Sequence, residues 1–165
     1  MASSIKYLTF LLLLTALFSC NRKGEQLWED EKNQIRTYLQ DKGVNYFTEN
    51  PESGYFYYFT DPDASGGRPN ANSTVEVVYR IEGLDGTVFI ESNLGETERI
   101  ELSQSVVGLQ LGMPNFSVGT KGFLILPSRL AYGKKGYTDD YGDEIIPPNT
   151  VLVVYLELVE VHPHF

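Results

Sequence analysis

From Val75 to Glu82 the chain alternates, with Val75, Val77, Tyr79 and Ile81 at every second position and Glu76, Val78, Arg80 and Glu82 between them. A period of two puts the first four on one face of a β-strand, because successive strand side chains point to opposite faces; a helix would instead gather residues three and four apart. Such a strand has an apolar face to bury and so demands a sheet with a core beneath it. Asp85-Gly86 then offers a pair suited to the positive backbone angles of a tight hairpin turn, and Thr87 to Glu91 returns as the partner strand. Glu98 to Leu102, Lys121 to Leu126 and Val151 to Val161 are further strands, and the last is apolar on both faces, which places it centrally. Tyr55 to Phe59 reads as a strand of aromatics, in keeping with an aromatic content of 13% that suits a sheet. Ser105 to Met113 carries Val106, Leu109 and Met113 at spacings of three and four with Pro114 just after, the pattern of one short helix. The expected class is α+β: an antiparallel sheet covered by that helix.

Ahead of these strands, Glu25 to Lys42 contains good helix formers without Gly or Pro; Trp28, Ile35 and Leu39 fall close to one face, and Gly43 supplies a stop. The stripe is expected to pack on the chain's own domain, with homodimerisation through the helix as the alternative. Asn50 to Gly54 breaks the chain, and Asp61 to Asn72, rich in Gly, Pro, Asp and Asn, reads as a surface loop. Further upstream, Lys6 precedes a stretch from Leu8 to Phe18 that is apolar apart from Thr9 and Thr15. That is the layout of a signal sequence, and it is too short to span a bilayer, which takes about 20 apolar residues. Leu17-Phe18-Ser19-Cys20 resembles the bacterial lipobox, which implies that Cys20 is acylated and becomes the new N-terminus. Cleavage that leaves Cys20 as a free thiol is the alternative, disfavoured because an oxidising compartment penalises an exposed thiol and Cys20 is the sole cysteine. Asn21-Arg22-Lys23-Gly24 holds no acidic cluster, so the expected location is the outer membrane, facing the periplasm. The expected division is residues 1–19 as leader, 20–53 as lipidated N-terminus and helical arm, and 54–162 as the domain. A formal net charge of -9 argues against nucleic acid as a partner.

Three segments carry a resemblance. They are Phe116-Ser117-Val118-Gly119-Thr120-Lys121, then Ile125-Leu126-Pro127-Ser128-Arg129-Leu130-Ala131-Tyr132-Gly133, then Ile145-Ile146-Pro147-Pro148-Asn149. With Tyr79, the Asp85-Gly86 turn, Phe89, Gly108 and Gly112 they stand in the order and spacing of the FKBP family of peptidyl-prolyl isomerases, which the chain resembles from Ser53 to Val161. The resemblance implies an FKBP-like antiparallel sheet wrapped around one short helix, here preceded by a helical arm. It also implies a pocket built from Tyr79, Phe89, Val106, Tyr132, Ile145 and Ile146, with Leu109, Tyr137 and Val154 as further substrate contacts. The Tyr132 hydroxyl and the Val106 N–H match the positions that grip ligand carbonyls in the family. Simple core packing is the competing reading for each of these residues, least so for Tyr132.

The chemistry implied needs no nucleophile, metal or cofactor. An X-Pro amide rotates slowly because its C–N bond has partial double-bond character, with a barrier of about 18–20 kcal/mol. An apolar pocket disfavours the charge-separated planar form and so favours the twisted transition state. The chain departs from the family's pattern in two ways. Ile90 follows Phe89 where an aspartate is usual, and Glu91 is not expected to replace it, since neighbouring strand residues face opposite ways unless a bulge intervenes. Leu109 stands where a tryptophan floors the pocket, and about Glu98 and at Val154 two wall aromatics are also missing. Leu for Trp forgoes about 1–3 kcal/mol of apolar contact, roughly tenfold or more in binding. Thr138 to Asp143 is an insertion bringing Asp139, Asp140 and Asp143 near the pocket mouth, expected to be a solvated acidic loop rather than a calcium site. His162 and His164 are too few and too near the C-terminus to argue for a metal. The expected function is a peptidyl-prolyl cis/trans isomerase of reduced activity that acts on proline-containing exported polypeptides, attached to the membrane through Cys20. The alternative is a non-catalytic FKBP-fold binding or chaperone module within an envelope complex.

Overall fold

A computed structural model describes residues 23–62 and 66–162. The leader, Cys20 with its expected lipid, and His164 lie outside the described residues. The sheet holds β1 (Thr48–Glu49), β2 (Phe56–Asp61), β3 (Thr74–Glu82), β4 (Val88–Glu91), β5 (Glu98–Glu101), β6 (Lys121–Leu126) and β9 (Leu152–His162). Its order is β1-β2-β6-β9-β3-β4, with β5 also on β3. Its pairings are antiparallel. β9 is central, as its two apolar faces require, and Leu152, Val153, Val154, Leu156 and Leu158 are all buried.

Alternation along β6 and β9 divides the interior into two layers. Leu124, Leu126, Leu152, Val154 and Leu156 join Val75, Val77, Met113 and Phe116 on one face. Against that face lies α2 (Val107–Gly112), flanked by the 3-10 turns Leu102–Gln104 and Met113–Asn115. Its backbone comes close because two turns lack a side chain: a Cβ on Gly108 would stand 2.5 Å from Leu126, and one on Gly112 2.5 Å from Leu124. Ile125 and Val153 point to the other face, where Ile35 and Leu39 of α1 (residues 23–41) complete a second cluster with Phe56 and Val151. Two members of the expected stripe, Ile35 and Leu39, are thus buried on the chain's own sheet with no exposure in the single chain, while Trp28 is half-buried.

α1 ends where Gly43 predicts. Gly43 has a φ of 69°, its N–H bonds Gln40 O at 2.9 Å, and the Val44 N–H bonds Leu39 O at 2.9 Å, a Schellman closure. Arg36 ties α1 to β1 through a forked ion pair with Glu49, the closest approach being 2.6 Å. Two elements have no counterpart in the sequence reading. One is β1, two residues long. The other is a separate hairpin of β7 (Tyr137–Thr138) and β8 (Glu144–Ile146), which structures the base of the acidic insertion. Its tip is closed by Asp139 Oδ1, which accepts the N–H groups of Tyr141 and Asp143, both at 2.9 Å.

Candidate active site

A cavity of about 500 Å³ opens between α2 and the sheet. β3 contributes Tyr79 and Ile81, β4 Ile90, and β5 Ile100; the approach to α2 contributes Gln104, Ser105 and Val106, and α2 itself Leu109. Leu126, Leu152, Val154 and Leu156 form the floor, and Tyr132 and Tyr137 close the remaining side. The lining residues include no carboxylate, amine, guanidinium, imidazole or thiol.

Local structure explains the placing of the polar groups. The Tyr132 and Tyr137 rings lie 5.1 Å apart, Tyr132 following the 3-10 turn Ser128–Leu130 and Tyr137 opening β7, opposite Ile146. Burial pushes the Tyr79 and Tyr132 hydroxyls above the ordinary tyrosine range. Glu98 and Tyr137 add to this at Tyr79, and Tyr137 and Tyr79 add to it at Tyr132. Both are therefore protonated donors at neutral pH. The hydroxyls of Tyr79, Tyr132 and Tyr137 bond no described residue. Val106 is the N-cap of α2, with φ -61° and ψ 148°. Its carbonyl accepts from Leu109 and Gln110, while its N–H has no partner among the described residues. A free backbone donor and free phenols thus share the wall of an apolar chamber, which can hold an apolar chain segment, bond its carbonyl oxygens and keep water from the amide between them.

The site residues expected from sequence fall in three places. Tyr79, Val106, Leu109, Tyr132, Tyr137 and Val154 line the cavity together. Ile146 lies in the core behind it at 1% exposure, with Ile145 packed partly buried against the same cluster. Phe89 packs on that cluster too but borders a shallower depression on the other side, with Gly83, Leu84, Pro147 and Val151. The cause is a bulge: Ile81 faces Ile90 and Glu82 faces Val88, so Phe89 is the extra residue of β4. Ile90 consequently takes the wall position, while Glu91 sits opposite Arg80, exposed on the far side of the strand. Ile81, Ile100, Gln104, Ser105, Leu126, Leu152 and Leu156 are lining residues the sequence reading did not single out. For Ile81 the signal was available, since it shares the alternating face with Tyr79.

Fold and cavity together define a domain of the isomerase type. A family model described as FKBP-type peptidyl-prolyl cis-trans isomerase matches residues 66–159. The chain is 34% identical over 131 residues to the FKBP-type peptidyl-prolyl cis-trans isomerase FkpA of Aeromonas hydrophila, covering 74% of this chain and 46% of that protein. It is 32% identical over 133 residues to FkpA of Escherichia coli, covering 80% and 45% respectively. It therefore spans less than half the length of these relatives. A crystal structure of a peptidyl-prolyl cis-trans isomerase from Pseudomonas syringae superposes with a TM-score of 0.67 at 29% identity, over 84% of this chain and 96% of that one. The crystal structure of FkpA from Escherichia coli does so with a TM-score of 0.63 at 28% identity, over 84% and 63%. The chain belongs to the FKBP-type peptidyl-prolyl cis-trans isomerase family.

Proposed function

We propose that this chain is a peptidyl-prolyl cis/trans isomerase that acts on proline-containing exported polypeptides in the cell envelope, with a rate lowered by Ile90 and Leu109 in place of a carboxylate and a broad aromatic ring. One observation carries the reading: an apolar cavity into which the tyrosine hydroxyls and the Val106 N–H bring donors that have no partner among the described residues. A prolyl ring entering the chamber would rest on Leu109, Val154 and Leu156. The Tyr132 hydroxyl and the Val106 N–H would donate to carbonyl oxygens of the peptide and hold it. The X-Pro amide, stripped of water, loses the solvation that favours its planar charge-separated form, and the barrier to twisting falls. Ile90 and Leu109 leave the wall without a carboxylate and without a broad aromatic floor, which supports a lower rate. A protease-coupled assay on peptides with bulky residues before proline tests this directly. Equal rates with and without the protein would remove the catalytic claim.

The location rests on the leader and on Cys20, with the arm 20–53 and the domain 54–162 as the exported unit and the outer membrane, facing the periplasm, as its site. α1 is already helical at residue 23, the first of the described residues, so a lipid on Cys20 would join three residues before this point of the helix. Such a tether confines the cavity to envelope clients at high effective concentration. Labelling with radioactive palmitate tests it. Incorporation that persists in Cys20→Ser would overturn attachment at that residue.

A further inference from the structure

We infer that Glu31 of α1 is a positioning residue for this site: its carboxylate grips Ser128 and thereby fixes the turn that presents Tyr132 to the cavity. The inference rests on the reading of the cavity as the isomerase site. Glu31 is 2% exposed, as is Ser128, 97 residues further along the chain. Glu31 Oε1 accepts the Ser128 Oγ–H at 2.6 Å and Oε2 accepts the Ser128 N–H at 3.0 Å, so both carboxylate oxygens are committed to one residue. Ser128 opens the 3-10 turn; its carbonyl accepts the Ala131 N–H at 3.0 Å, one residue before Tyr132, and the Pro127 carbonyl accepts the Leu130 N–H at 2.9 Å. A shift at Ser128 is therefore passed on to Tyr132 through one short hydrogen-bonded turn.

A second contact holds the same turn to the same helix. The Arg129 guanidinium stacks 3.5 Å from the Trp28 ring, whose ring also carries Lys32 Nζ at 3.8 Å. Gly54 closes on Trp28 from another side, with room for no Cβ: one placed there would come within 2.7 Å of Nε1. Glu31 forms no direct ion pair among the described residues; its two bonds to Ser128, with the attraction of the nearby Arg129, are what favour its charge against burial. α1 thus covers the back of the sheet and also clamps the turn that leads to Tyr132.

The test is a double-mutant cycle on the full chain in detergent, pairing Glu31→Gln with Tyr132→Phe and reading kcat/KM on proline peptides. Gln keeps the size of the side chain but offers one acceptor oxygen where Glu31 offers two. Glu31→Gln is expected to lower kcat/KM about three- to tenfold in the native background. In the Tyr132→Phe background the same change should have less than about a twofold effect, because the hydroxyl it positions is gone. Equal losses in both backgrounds would overturn the inference. Ser128→Ala, which removes only the Oγ bond, runs through the same cycle should Glu31→Gln fail to fold. A readout independent of turnover is the 19F resonance of 3-fluorotyrosine at Tyr132, assigned with Tyr132→Phe. It should shift in Glu31→Gln while that of exposed Tyr141 stays in place, and an unmoved Tyr132 signal would overturn the inference even in a chain without isomerase activity. A silent native chain with a shifting signal would instead count against the isomerase reading alone.

Discussion

Ile90 lies directly opposite Ile81 across the β3–β4 pair, with Phe89 bulged out beside it, so position 90 and not position 89 faces the cavity. The register makes position 90 the point where polarity can be given to this wall. Ile90→Asp would set a carboxylate among phenols that have no partner among the described residues, where it can accept from one of them and orient it. Taking that carboxylate out of water destabilises the fold. The expected outcome is a lower urea midpoint together with a higher kcat on proline peptides. A stability loss with unchanged or lower kcat would show that the wall's polarity does not limit the rate.

Leu109→Trp acts on the same chamber by area. The cavity of about 500 Å³ has room for an indole over the site of Leu109. The added contact is worth about 1–3 kcal/mol. Affinity for proline peptides should rise roughly tenfold, measured by titrating the new indole's fluorescence. Unchanged affinity would mean that the ring has not entered the cavity.

Tyr132→Phe separates binding from folding. The hydroxyl bonds no described residue, so its removal should leave stability within about 0.5 kcal/mol. A donor lost to a substrate carbonyl is worth about 0.5–1.5 kcal/mol, or roughly two- to tenfold in kcat/KM. Thermal unfolding and the peptide assay on one preparation check both halves. A large fall in melting temperature would reassign the hydroxyl to the core.

Much of this was legible because burial leaves a period in the sequence. Val75, Val77, Tyr79 and Ile81 share a face in β3, and the run Val151 to Leu156 is apolar on both faces because α2 covers one side of β9 while α1 covers the other at Val151 and Val153. Position 89 was harder: a one-residue bulge changes which side chain faces the cavity without altering the alternating composition that announces the strand. The β7–β8 hairpin was hidden because its strands are too short to show a period and its tip is held by one aspartate. Glu31 was hidden most completely. In a run of helix formers it reads as solvated surface, and only a serine 97 residues away gives it a role.

Gly108 and Gly112 offer a test of how tightly α2 is set on the sheet. A methyl at Gly108 would meet the Leu126 side chain at 2.5 Å, and Leu126 also lines the cavity. Overpacking of this kind costs about 1–3 kcal/mol, offset by no more than about 1 kcal/mol from the better helix propensity of alanine. Gly108→Ala should therefore lower the urea midpoint and weaken peptide binding together. A stabilised variant would show that α2 can lift off the sheet without loss.

Glu31 also makes a prediction about pH. Burial raises its carboxyl above the ordinary 4.5, outweighing the side-chain and backbone bonds from Ser128 and the attraction of Arg129, which lower it. The folded state therefore binds this proton more tightly than the unfolded chain does. The stabilisation from its protonation is fully present below 4.5 and is lost as pH rises through the higher folded value. Lys32 lies next in sequence, with its ammonium 2.8 Å from the Glu29 carboxylate and over the Trp28 ring, so it is paired away from Glu31. Other carboxylates titrate in the same window, so the informative quantity is a difference. The stability of the native chain minus that of Glu31→Gln should grow in favour of the native chain as pH falls from 7 toward 4.5, measured by urea unfolding at each pH. A difference that shrinks instead would mean that Ser128 and Arg129 outweigh burial and hold the carboxyl ionised in the fold.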